Sequence, residues 1–297
     1  MSEVLSDLPY ELVFKNYHDW NAHRPSHTLI FRHNGLSWWI KVCLEGSLPT
    51  AITTLGYRLR RSTFRAFLEA VDFARFQLLD NTLSGITLTL TEESHHSLPI
   101  QVTSHDAENF YLAVSHRMLY KIEEDPKRVI YPSFGQIQCC LRTFDASCLQ
   151  SGDFIAPAVS AVIVEGKKYA FKTIDRPLYE PRDTQDILDE IHALAQFHGQ
   201  PHIAQIVGLV VSGNPYQTNP SENMPQVIKG FLLEFYPGGS LEQVICGGTG
   251  TNDLSPLRWA IQVGRALRQL HEKKRSHLDV KLSNVVDDNN NNAYAIL

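Results

Sequence analysis

Near its C-terminal end the sequence reads Ser276-His277-Leu278-Asp279-Val280-Lys281-Leu282-Ser283-Asn284, the pattern H-x-D-x-K-x-x-N. A carboxylate, an ammonium and an amide at this spacing suit work on a phosphoryl group. Asp279 can accept or orient a hydroxyl proton, Lys281 can neutralise charge growing on phosphoryl oxygens, and Asn284 can offer an amide oxygen to Mg²⁺. Far upstream, Tyr169-Ala170-Phe171-Lys172 closes an apolar run with a lysine, and Glu190 follows eighteen residues later in a helical segment. Each residue taken singly reads as a solvated charge. Their order along the chain gives them joint meaning.

The elements that must position them are legible from periodicity. Residues 159–164 and 168–173 read as strands, 183–198 as a helix, and 206–211 and 227–235 as two more strands. A glycine turn, Pro237-Gly238-Gly239, leads into helical sequence, and Ser255-Pro256 opens a helix to about Glu272 with Leu257, Ile261, Gly264, Leu267 and His271 on one face. Val285-Val286-Asp287, a turn over 288–292 and Ala293-Tyr294-Ala295-Ile296-Leu297 read as a short hairpin. The first 130 residues are mixed but mainly β. Asn34-Gly35 between two β-rich runs predicts a hairpin, 86–91 alternates with period two, and residues 64–78 have apolar side chains at helical spacing. The charged, proline-marked stretch 123–132 predicts a domain boundary, giving a β-rich domain over 1–131 and a second over 132–297.

In order, spacing and residue type, residues 145–297 resemble the eukaryotic protein kinase domain. The resemblance implies an α+β fold: a small lobe of five antiparallel strands with a helix termed αC, an incomplete helical large lobe, and the mainly β domain ahead of it. Tyr169-Ala170-Phe171-Lys172 is similar to the V-A-I-K strand, whose lysine holds the α- and β-phosphates of ATP and pairs with the αC glutamate, here Glu190. Gly199-Gln200-Pro201-His202-Ile203 is similar to the turn that ends this helix. Phe231-Leu232-Leu233-Glu234-Phe235-Tyr236 is similar to the fifth strand and hinge, with Leu233 as gatekeeper and the Glu234 carbonyl and Tyr236 amide reading adenine. The implied cofactors are ATP and Mg²⁺, the latter bound through Asn284. Ala170, Lys172, Glu190, Leu233, Glu234 and Tyr236 bind the nucleotide, and Asp279, Lys281 and Asn284 carry the chemistry. A lysine two places after the aspartate points to the Ser/Thr class.

The sequence departs from the family in three places. Leu278 stands where H-R-D has its arginine, so control through a phosphorylated activation loop is not expected. The Gly-rich loop is degenerate: if Val162 is the family's valine, the glycine positions hold Ile155, Pro157 and Ser160, and if Val159 is, they hold Gly152, Phe154 and Pro157. Proline offers no amide to a phosphate, so the grip should be weak. The chain stops at Leu297, where the resemblance expects D-F-G within one or two residues, so this chain is expected to be impaired or inactive. It also leaves the helix face around Leu257, Ile261 and Leu267 without its usual cover. The alternative is a pseudokinase scaffold with an N-terminal interaction domain. A small-molecule phosphotransferase is disfavoured by Lys281 and the turn at 237–241.

Composition sets outer limits. With 297 residues, 43% hydrophobic and 20% charged, the chain can bury two cores, and a net charge of −5 with scattered Lys and Arg argues against nucleic-acid and membrane partners. No apolar run is long enough to span a bilayer, and no secretory pattern opens the chain, which predicts an intracellular protein, cytoplasmic or nuclear. Five cysteines without C-x-x-C spacing predict reduced thiols, Cys139-Cys140 reads as strand filler, and His95-His96 as a solvated loop. The protein substrate or partner is not identified by any of these features.

Overall fold

The computed structural model describes residues 10–19, 24–46, 48–93, 98–100, 109–137, 141–176, 179–246 and 256–297. The expectations for His95-His96 and Cys139-Cys140 lie outside them. The chain divides into two compact units, one of residues 1–128 with 214–224 and the other of 129–213 with 225–297.

Unit 1 is built on a sheet in the order β1 (Tyr10–Asp19), β2 (Pro25–His33), β3 (Leu36–Glu45), β4 (Leu83–Leu90), β5 (Met118–Glu124). Asn34 and Gly35, both at positive φ, turn the chain between β2 and β3, as a two-residue hairpin requires. Strands β3 and β4 run parallel, so a crossover must join them. It carries α1 (Thr50–Thr53) and α2 (Tyr57–Glu69), and α3 (Phe110–Ala113) follows β4. Phe64, Phe67 and Leu68 of α2 are buried with Tyr111, Phe31 and Ile40 in one core. The helical spacing seen over 64–78 therefore marks the wrong interval. The helix ends at Glu69, Val71 forms an isolated bridge with Ile100, and Asp72 caps a short 3₁₀ turn by accepting from the Ala74 amide. Residues 214–224, which lie between the strands expected over 206–211 and 227–235, belong to unit 1. There Asn81 and Thr218 exchange two hydrogen bonds, Asn81 N–H to Thr218 Oγ1 at 2.9 Å and Thr218 N–H to Asn81 Oδ1 at 3.0 Å.

Unit 2 is built on a six-stranded sheet in the order β6 (Arg142–Asp145), β10 (Ile206–Ser212), β11 (Val227–Glu234), β9 (Lys167–Thr173), β8 (Val159–Val164), β7 (Gln150–Ala156). Five of these are antiparallel neighbours, as expected. The sixth, β6, adds to the edge in parallel with β10. Helix α4 (Arg182–Gln196) presents Ile187, Ile191 and Leu194 at helical spacing to one sheet face, where they are buried with Ile206, Leu209, Phe231 and Leu233. Tyr169, Val162, Leu232 and Phe144 form a separate cluster on the other face.

A second, three-stranded sheet, β12 (Gly239–Ser240), β13 (Val285–Asp287), β14 (Ala293–Ala295), is joined by α5 (Leu241–Cys246) and α6 (Pro256–Glu272). The side of α6 that packs carries Trp259, Gln262, Ala266 and Leu270, while Leu257 is 75% exposed and Ile261 48%. Gln262 is polar yet buried because its amide is used: Oε1 accepts the Ala293 N–H at 2.8 Å, and Nε2 donates to Asn292. Among the described residues no helix is long and apolar enough to cross a membrane.

Candidate functional site

Strand β9 alternates sides, so Ala170 and Lys172 share the face toward α4 while Tyr169 and Phe171 take the other. Lys172 Nζ donates to Glu190 Oε2 at 2.5 Å, the two side chains being 27% and 12% exposed. Glu190 Oε1 is buried with no hydrogen-bond partner. Burial raises the Glu190 carboxyl above its ordinary range, and the Lys172 ammonium works against that shift. The pair that the family resemblance implies is thus formed, and one carboxylate oxygen is left over.

Leu233 is buried opposite Ala170 across the β9–β11 ladder, and Glu234 lies opposite Tyr169. Beyond them Tyr236 turns its ring onto Tyr294, with centroids 4.7 Å apart, and its hydroxyl accepts the Gln205 N–H at 3.2 Å. The glycine turn follows. Gly238 donates its N–H to the Asp287 carbonyl at 3.0 Å, and a Cβ there would lie 2.6 Å from Asp287 Oδ2, so only glycine lets this turn come so close to β13. Gly239 and Ser240 then pair with Asp287 and Val286. Because β13 begins directly after Asn284, this ladder ties the glycine turn to the polar loop.

In that loop Asp279 is the hub. Its Oδ2 accepts from Lys281 Nζ at 2.7 Å and from Asn284 Nδ2 at 2.8 Å, and its carbonyl accepts from the same Asn284 amide at 3.0 Å. The Lys281 hydrogen bond leads in holding the Asp279 carboxyl below its ordinary range, so it is ionised at neutral pH. With both contacts made through its nitrogen, Asn284 has its amide oxygen left for another partner, and an oxygen donor beside a carboxylate fits Mg²⁺. The backbone is special here too. Leu278 has φ 62° and is 94% exposed, a rare conformation for a branched side chain.

The helix-ending turn also reaches the loop's hairpin. The His202 carbonyl accepts the Ala295 N–H at 2.9 Å and the Ala295 carbonyl accepts the Ala204 N–H at 2.8 Å. The β7–β8 hairpin refines one expectation. Its two-residue turn is Pro157-Ala158, with Ala156 opposite Val159. Val162 pairs with Tyr169 and is buried on the far face, which removes the register that made it the valine over the site. Ala161, opposite Ala170, stands on the site face beside Val159, opposite Lys172.

The structure therefore forms Lys172–Glu190 and Asp279–Lys281–Asn284 as two clusters, with Ala170 on β9, Leu233 and Glu234 on β11, and Tyr236 in the turn that follows β11. Sequence reasoning missed Asp287, 6% exposed with Oδ1 unpartnered, whose closeness to Gly238 is a tertiary effect. Residues 155–296 match the family model of the protein kinase domain. A search of curated proteins finds no match.

Proposed function

We propose that the protein kinase-like unit transfers the γ-phosphoryl group of ATP to Ser or Thr hydroxyls, with weak phosphate grip. The observation that carries this reading is the Asp279–Lys281–Asn284 trio: an ionised carboxylate held by an ammonium and an amide. Asp279 Oδ1 makes no hydrogen bond among the described residues and can orient the incoming hydroxyl and take its proton. Lys281, bonded to Asp279 in the free site, exchanges that partner for the transferring phosphoryl oxygens. Lys172, steadied by Glu190, holds the α- and β-phosphates, and the Glu234 carbonyl and Tyr236 amide take the adenine edge. Asn284 would hold Mg²⁺ through its amide oxygen, and the ion would supply neutralisation of phosphate charge. The Ser/Thr assignment rests on Lys281.

The second reading, a nucleotide-binding or nucleotide-free scaffold without transfer, is favoured by one observation. The turn where phosphate amides are wanted is Pro157-Ala158, and proline contributes no N–H. Mg·ATP binding by calorimetry, together with transfer of radiolabelled phosphate to Ser/Thr peptides, separates the two. Transfer that falls by about 100-fold or more in Asp279→Asn with ATP affinity kept supports the enzyme. Binding without transfer supports the scaffold, and no Mg·ATP binding at millimolar nucleotide overturns the nucleotide site itself.

A further inference from the structure

We propose that residues 130–134 form a strap that positions α4, and that Thr184 and Tyr179 are the positioning residues through which it keeps Glu190 on Lys172. The role in phosphoryl transfer rests on the function proposed above, but the positioning itself does not.

The strap lies along β11. Val227 already pairs with Ser212 of β10, and on its other side it bridges Ser133. The Pro132 carbonyl accepts the Ile228 N–H at 2.9 Å, and Phe134 N–H donates to the Gln226 carbonyl at 2.9 Å. Strand β9 pairs with β11 only from Gly230 onward, so the strap fills the edge that β9 leaves open. Lys229 Nζ stands 4.0 Å over the Tyr131 ring, and Ile137, three residues beyond the strap, is buried in the α4 core, so the strap is held at Tyr131 and the chain that leaves it is anchored as well.

From this fixed edge a closed ring of hydrogen bonds reaches α4. Thr184 Oγ1 donates to the Ile130 carbonyl at 2.6 Å, and Ile130 N–H donates to the Tyr179 hydroxyl at 2.9 Å. The threonine proton is therefore spent, so the Tyr179 hydroxyl donates to Thr184 Oγ1 across their 2.7 Å separation. Every proton in the ring is used once, and Thr184 and Tyr179 are each 8% exposed. A buried network of this kind resists partial loss, because breaking one member leaves the others unpaired.

A second anchor holds the same turn: the Arg176 guanidinium grips the carboxylate of Asp183, which also accepts the Glu180 N–H at 2.8 Å. Thr184 and Glu190 are six residues apart on one helix, about 9 Å along its axis, so a shift of the first turn is carried to Glu190. A direct contact of 2.5 Å does not survive a displacement of about 1 Å or more.

The test needs no nucleotide. The full chain is treated with a small neutral amine-reactive ester, and acylation of Lys172 is followed by mass spectrometry in wild type, Thr184→Val, Tyr179→Phe, Thr184→Ser and Glu190→Gln. The Glu190→Gln variant defines the rate without the ion pair. Thr184→Val should raise the Lys172 rate about tenfold toward that limit, the equivalent of roughly one hydrogen bond's net contribution. Tyr179→Phe, the milder change, should act in the same direction, and Thr184→Ser, which keeps the ring, should stay within about twofold of wild type. If Thr184→Val and Tyr179→Phe both leave the Lys172 rate at the wild-type value, or if Thr184→Ser accelerates as much as Thr184→Val, the strap does not position Glu190. Should Thr184→Val fail to fold, Tyr179→Phe against Thr184→Ser decides the matter alone. Absence of ATP binding in wild type would defeat the functional reading and leave this result standing.

Discussion

Lys172→Met isolates the electrostatics of the site from its chemistry. In the wild type the ammonium is 2.5 Å from Glu190 Oε2, while Oε1 is buried and unpartnered. Removing one member of a buried pair costs about 3–5 kcal/mol when the other charge is stranded, and the 27% exposure of Lys172 brings the expected loss down to about 2–3 kcal/mol at pH 8. Hydrogen exchange of the α4 amides, read by mass spectrometry, reports on this unit alone. That loss appears as faster exchange by about 30- to 150-fold. The pH dependence follows from the direction of the Glu190 shift. Its folded carboxyl is raised above the ordinary value of 4.5, chiefly by burial. Between that value and the raised one the folded state holds a proton that the unfolded chain has released, so its contribution to stability declines as pH rises through the window. Lys172→Met removes the cation that opposes the shift and extends the window upward. The penalty should therefore be larger at pH 8 than at pH 5, and Glu190→Gln in the Lys172→Met background should recover most of it. Equal losses at both pH values, or no loss at either, would refute a charged Glu190 held by Lys172.

Two further outcomes test the packing. Gly238→Ala should destabilise the hinge turn by about 1–3 kcal/mol, because its Cβ would lie 2.6 Å from Asp287 Oδ2, whereas Gly264→Ala, with nothing within 4 Å, should stabilise α6 by about 0.8–1 kcal/mol; urea denaturation of both variants checks the opposite signs. In unit 1, His27 is fully buried, its Nδ1 lies 3.1 Å from the Thr28 carbonyl and its Nε2 has no partner, and burial first, then Arg61 and Arg65, lower its pKa from 6.5. The unfolded chain takes up the proton first, so the stabilisation is complete above pH 6.5 and is lost as pH falls below it. Exchange of the β2 amides should accelerate at pH 5.5 relative to pH 7.5 after intrinsic correction, and His27→Phe should flatten the difference.

What the sequence reveals depends on how local the determinant is. Strand β8, the turn at Asn34-Gly35 and helix α4 are written in periods and turn residues within each segment, and their observed bounds follow those signals closely. The Lys172–Glu190 contact and the Asp279–Lys281–Asn284 trio were also legible, the first through ordered motifs and the second through one contiguous loop. Strand β6 was not, since only Phe144 of its four residues is buried and its partner lies more than sixty positions away. Nor was the inward side of α6, where Gln262 is buried because Ala293 and Asn292 satisfy its amide. The Thr184–Tyr179–Ile130 ring and the Asn81–Thr218 pair escaped for the same reason, since polar residues joined across long separations carry no period.

Under the proposed function, Lys172 and Lys281 face the phosphates of a bound nucleotide. It is tested most directly with an acyl-phosphate derivative of ATP, which acylates amines beside the terminal phosphate, followed by mapping of the labelled lysines. Modification is expected at Lys172 and Lys281, suppressed by excess Mg·ATP and reduced at Lys281 in Lys172→Met. Labelling spread over surface lysines and indifferent to ATP would contradict it.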